Sequence, residues 1–296
     1  AASIDVVLLK GGGLAYTSYV SPNDRPMADI DMLVRPEHAE RAWNLALENG
    51  WVRRGDVPMD RSYTEHQHLP PLEDDSGVRM GLEIHTSLFT DQAPFEFSEA
   101  AIWEGARSIE IQGRPALVPS VVHQLLHCCL HFAWSHEMTF GAWRTLRDVE
   151  RIVSTHDVDW DAFIRVAETT RGASCCYWTL RLARDLAFVE IPERVLHALE
   201  PQLTRWVLRA TAAQFARRAL PISGDEAVMS TSLWRLLWSI GVRPEAHGHG
   251  ESRPWLDNPE PLPVPEGERE ERPSVARRVI RKGLGVVRVL GQVMKA

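Results

Sequence analysis

Apolar positions in the first 118 residues come in short runs or alternate with polar ones, a pattern that predicts strands separated by turns. Residues 4–10 form a compact apolar run that stops at Gly11, Gly12 and Gly13, and a short helix through Leu14, Ala15 and Tyr16 follows. A loop rich in turn formers, 21–28, leads to a second strand over 29–34, where Asp29 and Asp31 alternate with Ile30 and Met32. Pro36 and Glu37 open a helix whose apolar positions keep helical spacing through 39–49, until Gly50 ends it. The runs 63–72 and 78–88 flank Asp74, Asp75, Ser76 and Gly77, which predicts a β-hairpin. A further hairpin spans 108–118 and turns at Gln112 and Gly113.

Beyond Pro119 the period changes from two to that of a helix. Helices are expected over 120–135, 140–154, 160–171, 175–187 and 192–199, with two more up to Ile240. The fold class expected is α+β, a mixed and mainly antiparallel sheet flanked by helices, followed by an all-helical domain. The boundaries expected are 1–118 for the α+β core, 119–243 for the helical domain, 244–273 for a linker dense in Pro, Glu and Gly, and 274–296 for a basic amphipathic helix. That last segment sets Val279, Ile280, Leu284, Val287, Leu290 and Met294 near one face, while Gly283, Gly285 and Gly291 weaken it as a helix. Its docking place stays open between the protein's own surface, a partner and an anionic membrane surface. The chain begins without Met and enters an apolar run almost at once, so the core is expected to be N-terminally truncated.

Composition narrows the function classes. A net charge of −7 argues against wholesale binding of nucleic acid, though not against a local basic patch. No run approaches the roughly 18 apolar residues of a membrane span, and no signal peptide opens the sequence, so a cytoplasmic location is expected. Cys128, Cys129, Cys175 and Cys176 fall as adjacent pairs, a spacing that fits reduced thiols rather than a disulfide framework.

The chemistry begins at Asp29 and Asp31. Alternate side chains of a strand share a face, so these carboxylates point the same way about 6.6 Å apart along the chain. Unpaired like charges in a partly buried strand are costly, and a divalent cation resolves the conflict. Glu83 lies in a strand where Leu82 and Ile84 alternate with Glu83 and His85. If that strand pairs beside Asp29 and Asp31, three carboxylates converge, and two metals held there would clamp an in-line phosphoryl displacement. Glu83 would also stand close enough to an incoming hydroxyl to take its proton. Gly11, Gly12 and Gly13, before a helix, expose backbone N–H groups to a phosphate. Lys10 and Arg25 add positive charge against a triphosphate, Arg25 with its planar fork.

Three segments carry a resemblance: Leu9-Lys10-Gly11-Gly12, the run from Arg25-Pro26 through Asp29-Ile30-Asp31 to Leu33-Val34, and Glu83-Ile84-His85. Together they resemble the nucleotidyltransferase superfamily that includes DNA polymerase β and the kanamycin nucleotidyltransferases. The closer likeness is to an uncharacterised bacterial nucleotidyltransferase family, and it extends to His127-Cys128-Cys129-Leu130-His131 and to residues 143–153. The resemblance implies a transferase that moves a nucleoside monophosphate from an NTP to an acceptor hydroxyl, with two Mg²⁺ ions. It implies that Asp29, Asp31 and Glu83 hold metal and that Lys10, Gly11, Gly12 and Arg25 meet the nucleotide. Many superfamily members place serine after the first glycine, whereas Gly12 offers backbone alone, and the interval from Gly12 to Asp29 is long. Members of the closer family usually carry extra helices before the first strand.

Blander readings stand beside these. A lone D-x-D or glycine turn is common, and surface ion pairing accounts for Lys10 and Arg25 as well as phosphate does. His123, His127 and His131 share a helical face, but no zinc-type ligand spacing accompanies them, so core or cleft-lining roles are favoured. His66, His68 and His85 remain candidates for the acceptor side. The eleven tryptophans are read as packing residues rather than a stacking platform. Two rival functions remain: a toxin-like enzyme using the same chemistry on RNA or protein, and a degenerate nucleotide-binding scaffold.

Overall fold

The computed structural model describes residues 4–54, 67–75, 80–90, 93–138, 141–219 and 231–242. His66 and the start of its hairpin arm, the hairpin turn at 76–79, the linker 244–273 and the helix 274–296 lie outside the described residues. The chain divides into two compact units, Ala1–Pro201 and Gln202–Ala296.

Strands β1 (Val7–Leu8), β2 (Asp29–Leu33), β3 (Trp51–Arg53), β4 (Leu72–Asp74), β5 (Gly81–His85), β6 (Arg107–Ile111) and β7 (Arg114–Val118) form one seven-stranded sheet. Their order is β3-β4-β5-β2-β1-β7-β6. The β1–β7 and β2–β5 pairs run parallel, and the other four pairs run antiparallel. This is the mixed sheet expected. The β6–β7 hairpin turns on Gln112 (φ 51°) and Gly113 (φ 77°), two left-handed residues whose twist matches that of the strands.

The first helix departs from expectation. The strand is shorter than 4–10, and helix α1 (Lys10–Thr17) includes all three glycines instead of following them. Lys10 is the cause: at φ 43° it turns the extended Leu9 directly into helix, with no linking residue. Gly13 is required by packing, since a Cβ there would stand 2.7 Å from the Leu8 carbonyl oxygen and 3.4 Å from Val118 Cγ1. Gly13→Ala is therefore expected to lower stability by about 1–3 kcal/mol. Gly12→Ala, with Ile30 Cγ2 as its nearest neighbour at 3.8 Å, is expected to be neutral or mildly stabilising. Urea unfolding of the two variants side by side checks the contrast.

Helix α2 (Ala39–Glu48) covers one sheet face, where Ala39 and Trp43 pack with Val34, Leu72, Leu82 and Ile84. Ile30 and Met32 join that core from β2, which leaves Asp29, Asp31 and Leu33 on the other face. Helix α3 (Glu99–Glu104) and β3 were not foreseen, being too short to show a period.

The helical layer follows in α4 (Val121–Leu130), which runs on into a π-helix at His131–Ser135, then α5 (Ala142–Thr155), α6 (Trp160–Thr169), α7 (Ala173–Ala187) and α8 (Glu193–Leu199). Ser120 starts α4 by accepting a hydrogen bond from the His123 N–H at 3.2 Å, and Asp159 starts α6 by accepting one from Ala162 at 2.9 Å. Helix α7 packs against α4, α5, α6 and α8 and is buried at Cys175, Cys176, Trp178 and Leu180. The four cysteines form no disulfide among the described residues. Trp43, Trp178 and Trp238 are fully buried, whereas Trp143 and Trp206 expose more than half their surface and pack little. In the second unit α9 (Arg205–Ala219) packs on α10 (Thr231–Gly241), and Phe215 and Trp238 are buried. No helix among the described residues is long and apolar enough to cross a membrane.

Candidate active site

The parallel register of β2 and β5 sets Asp31 beside Glu83 and Leu33 beside His85. Leu82 and Ile84 are held in the core under α2, so the strand period turns Glu83 and His85 to the face that carries Asp31. Asp31 is nearly inaccessible, and its Oδ1 accepts from Lys10 Nζ at 2.7 Å and from His85 Nε2 at 2.9 Å. The same Nε2 lies 3.4 Å from Glu83 Oε2, and Nδ1 of that ring is 3.3 Å from the Ser87 carbonyl. His85, an acceptor-side candidate by sequence, thus stands inside the acidic cluster.

Burial opposes charge on Asp31, but the bonds from His85 and the nearby Lys10 charge outweigh it and hold the carboxyl well below its usual range. Burial likewise works against a charged His85, yet Asp31 and Glu83 raise its pKa overall. Hydrogen bonding to His85 lowers Glu83. Asp29 goes the other way: burial raises it, and repulsion from Asp31 and Glu83 raises it further against the pull of Lys10 and Arg144. Of the three carboxylates, the least compensated is Asp29.

Ligand atoms of Asp31, Glu83 and His85 lie within 4.8 Å of one another. Carboxylate oxygens on one rigid sheet face suit Mg²⁺, a hard cation that takes few protein ligands. The His85 nitrogen suits it less, and its bonds to Asp31 and Glu83 serve to orient those carboxylates. Asp29, outside that tight trio, supplies a further oxygen donor whose charge is only partly compensated. The residues present fit the ion.

A cleft of about 410 Å³ opens over this cluster, lined by Asp29, Asp31, Glu83 and His68 from the sheet side and by Lys10 and Gly11 from α1. The first-turn N–H groups of α1, like those of any helix, have no i−4 carbonyl to meet, and among the described residues no side chain caps them. Gly12 is buried just beyond, against Ile30. Lys10 holds its ammonium on Asp31 from a left-handed backbone that costs a non-glycine residue about 1–2 kcal/mol. Such strain is concentrated at functional sites. His68 bonds through Nδ1 to the Leu69 carbonyl at 2.8 Å, its ring edge-on to His85 at 5.2 Å.

Arg25 also lines the cleft, with its fork closed on Asp148: Nε to Oδ1 at 2.7 Å and Nη2 to Oδ2 at 2.8 Å. Nη1 donates to the Pro26 carbonyl at 2.6 Å, and Tyr19 donates its hydroxyl to Asp148 Oδ1 at 2.6 Å. Sequence reasoning missed Asp148 and Tyr19. The available signal was an acid at position 148 beside Leu146, Val149 and Ile152 on the buried stripe of α5.

His127 lines the cleft from α4 at 5% exposure, and its Nε2 has no hydrogen-bond partner among the described residues. Burial, reinforced by the charge of Lys10, pushes its pKa down to about 3. The unfolded chain binds a proton there below pH 6.5 that the folded chain refuses until about pH 3. Stability accordingly falls as pH drops through that window, by up to about 1.4 kcal/mol per pH unit. Chemical unfolding at pH 7, 6 and 5 is expected to show this decline, and His127→Leu is expected to make it shallower.

A family model described as "Uncharacterised nucleotidyltransferase" matches residues 1–188. None of the curated proteins matches. Among solved structures, the chain is similar to the lincomycin-bound crystal structure of the lincosamide antibiotic adenylyltransferase LnuA, at 16% identity and a TM-score of 0.35. That alignment covers 52% of this chain and 88% of the other.

Proposed function

Because the chain belongs to the uncharacterised nucleotidyltransferase family, and so is a nucleotidyltransferase, we propose that it transfers a nucleoside monophosphate from an NTP to an acceptor hydroxyl and releases pyrophosphate. The observation that carries this reading is the β2–β5 register, which sets Asp31 beside Glu83 on one face with the uncapped start of α1 lining the same cleft.

Asp29, Asp31 and Glu83 would hold two Mg²⁺ ions. Bound there, the ions supply charge neutralisation at the phosphoryl group and its leaving oxygen. Lys10 and the first N–H groups of α1 draw the triphosphate to the glycine end of the cleft. Arg25 braces that end: its Cζ lies 3.3 Å from where a Cβ on Gly11 would stand. The acceptor oxygen bonds to the α-phosphorus, the bond from that phosphorus to the bridging oxygen breaks, and a carboxylate of the cluster takes the acceptor's proton. Rate enhancement then comes mostly from positioning and preorganised charge.

Calorimetric titration with each NTP tests the reading. Binding that requires MgCl₂ and disappears in Asp29→Ala/Asp31→Ala is the expected result; absence of metal-dependent NTP binding overturns it. Incubating cell extract with labelled NTP, comparing the intact protein with the same double variant, would then reveal the donor and the acceptor class.

A further inference from the structure

We propose that Lys10 is an exchangeable counter-ion: it holds the buried Asp31 carboxylate, gives it up when a divalent cation binds there, and then takes the incoming triphosphate. The inference rests on the nucleotidyl-transfer reading and deepens it, by assigning to one side chain the coupling of metal binding to nucleotide binding. Two donors meet on Asp31 Oδ1, Lys10 Nζ at 2.7 Å and His85 Nε2 at 2.9 Å, and together they use both lone pairs of that oxygen. A divalent cation on this carboxylate competes with the ammonium for the same negative charge and repels it at close range.

Burial decides which of the two donors yields. The His85 side chain is 1% exposed, and its other ring nitrogen stands 3.3 Å from the Ser87 carbonyl. Asp31 is as deeply buried and is fixed by the β2–β5 ladder. The Lys10 side chain is 20% exposed and borders the cleft, on a flexible stem whose three donors demand no fixed geometry. Lys10 is therefore the mobile partner. Its root is the first residue of α1, next to Gly11 on the cleft lining, so the ammonium leaving Asp31 turns toward a phosphate held at the helix start.

Residue choice points the same way. The chain carries lysine at positions 10, 282 and 295 and otherwise draws its positive side chains from arginine. Position 10 is a left-handed corner at φ 43°, a backbone that glycine would hold without strain. A lysine at such a corner is a residue used through its side chain. Arg25 shows the contrast: its planar fork is closed bidentately on Asp148, a geometry that locks both partners. Of these two cations on the cleft lining, the compact ammonium is the one built to change partner.

The experiment uses the full chain with lysine enriched in carbon-13 at Cε, where the scarcity of lysine lets the Lys10 signal be assigned through its loss in Lys10→Arg. That signal is expected to shift on MgCl₂ alone and to shift again when ATP, GTP, CTP and UTP are tried in turn. In calorimetry, Lys10→Met is expected to bind Mg²⁺ about tenfold more tightly without nucleotide and Mg–NTP about tenfold more weakly, within the usual range of coupling between two sites. Lys10→Arg, which keeps the charge, is expected to return the Mg²⁺ affinity toward that of the parent. A lysine that only braces the fold would not move the two affinities in opposite directions, and one that only binds nucleotide would leave Mg²⁺ affinity unchanged. Unaltered or weaker Mg²⁺ binding in Lys10→Met, or a Lys10 signal that MgCl₂ leaves in place, overturns the inference while Mg–NTP binding by the parent still supports the nucleotidyl-transfer reading. Should Lys10→Met fail to fold, the carbon-13 signal of the parent decides by itself. Absence of Mg–NTP binding by the parent overturns the nucleotidyl-transfer reading, and this inference with it.

Discussion

Replacing Asp29 by Asn is expected to reduce nucleotidyl transfer by about 10³-fold or more while leaving the protein at least as stable as the parent. The two effects separate because Asp29 sits at the exposed start of β2 and its charge is only partly answered, by Lys10 and Arg144. Burial and then repulsion from Asp31 and Glu83 raise its pKa, so the ionised side chain weakens the folded state. The parent therefore gains stability as pH falls through the raised pKa toward the ordinary value of 3.8, and the Asn variant lacks that gain. Asp31→Asn is expected to lose the same activity and, in addition, about 3–5 kcal/mol of stability. It leaves Lys10 and His85 facing each other across a buried site without their shared anion. Turnover of labelled NTP together with urea unfolding distinguishes the two variants. Equal destabilisation by both would contradict the charge assignment.

Asp148→Ala is expected to destabilise the protein by about 3–5 kcal/mol, the cost of leaving a buried guanidinium unpaired. Arg25 is 8% and Asp148 4% exposed, and Tyr19 would lose its acceptor as well. Replacing both partners, Arg25→Met with Asp148→Leu, should recover much of that loss, because no lone charge then remains in the interior. A double-mutant cycle by urea unfolding measures the coupling, and additive effects would remove the pair from its structural role. The NTP KM of the double variant is a separate readout: it should rise, since the brace beside Gly11 is gone.

Legibility of the fold tracked distance along the chain. The period-two run around Asp29 and Asp31, the hairpin at Gln112 and Gly113, and the helices after Pro119 are local patterns, and local patterns can be read. The alternation of Leu82 and Ile84 with Glu83 made a common face with Asp31 conceivable, but the register that creates it depends on which strand β5 joins. The start of α1 was misread because glycines punctuate more often than they begin helices; the left-handed turn at Lys10 has no sequence signature. The partner of Arg25 lies 123 residues away, beyond any spacing rule. His85 reads from sequence as an acceptor-side candidate, and its bond to Asp31 follows from tertiary placement across a separation of 54 residues.

The pairing of β2 with β5 also governs when the site comes into being during folding. It brings together Asp31 and Glu83, 52 residues apart (83 − 31), in parallel strands that no tight turn can nucleate. Closing so long a loop costs chain entropy before any ladder bond compensates it, and non-local parallel pairing of this kind is slow. The β6–β7 hairpin and the helices assemble from near neighbours and can precede it. Mutual repulsion among the acidic side chains therefore develops late, against a scaffold already largely built, and weighs on the rate of that closing step more than on the early ones.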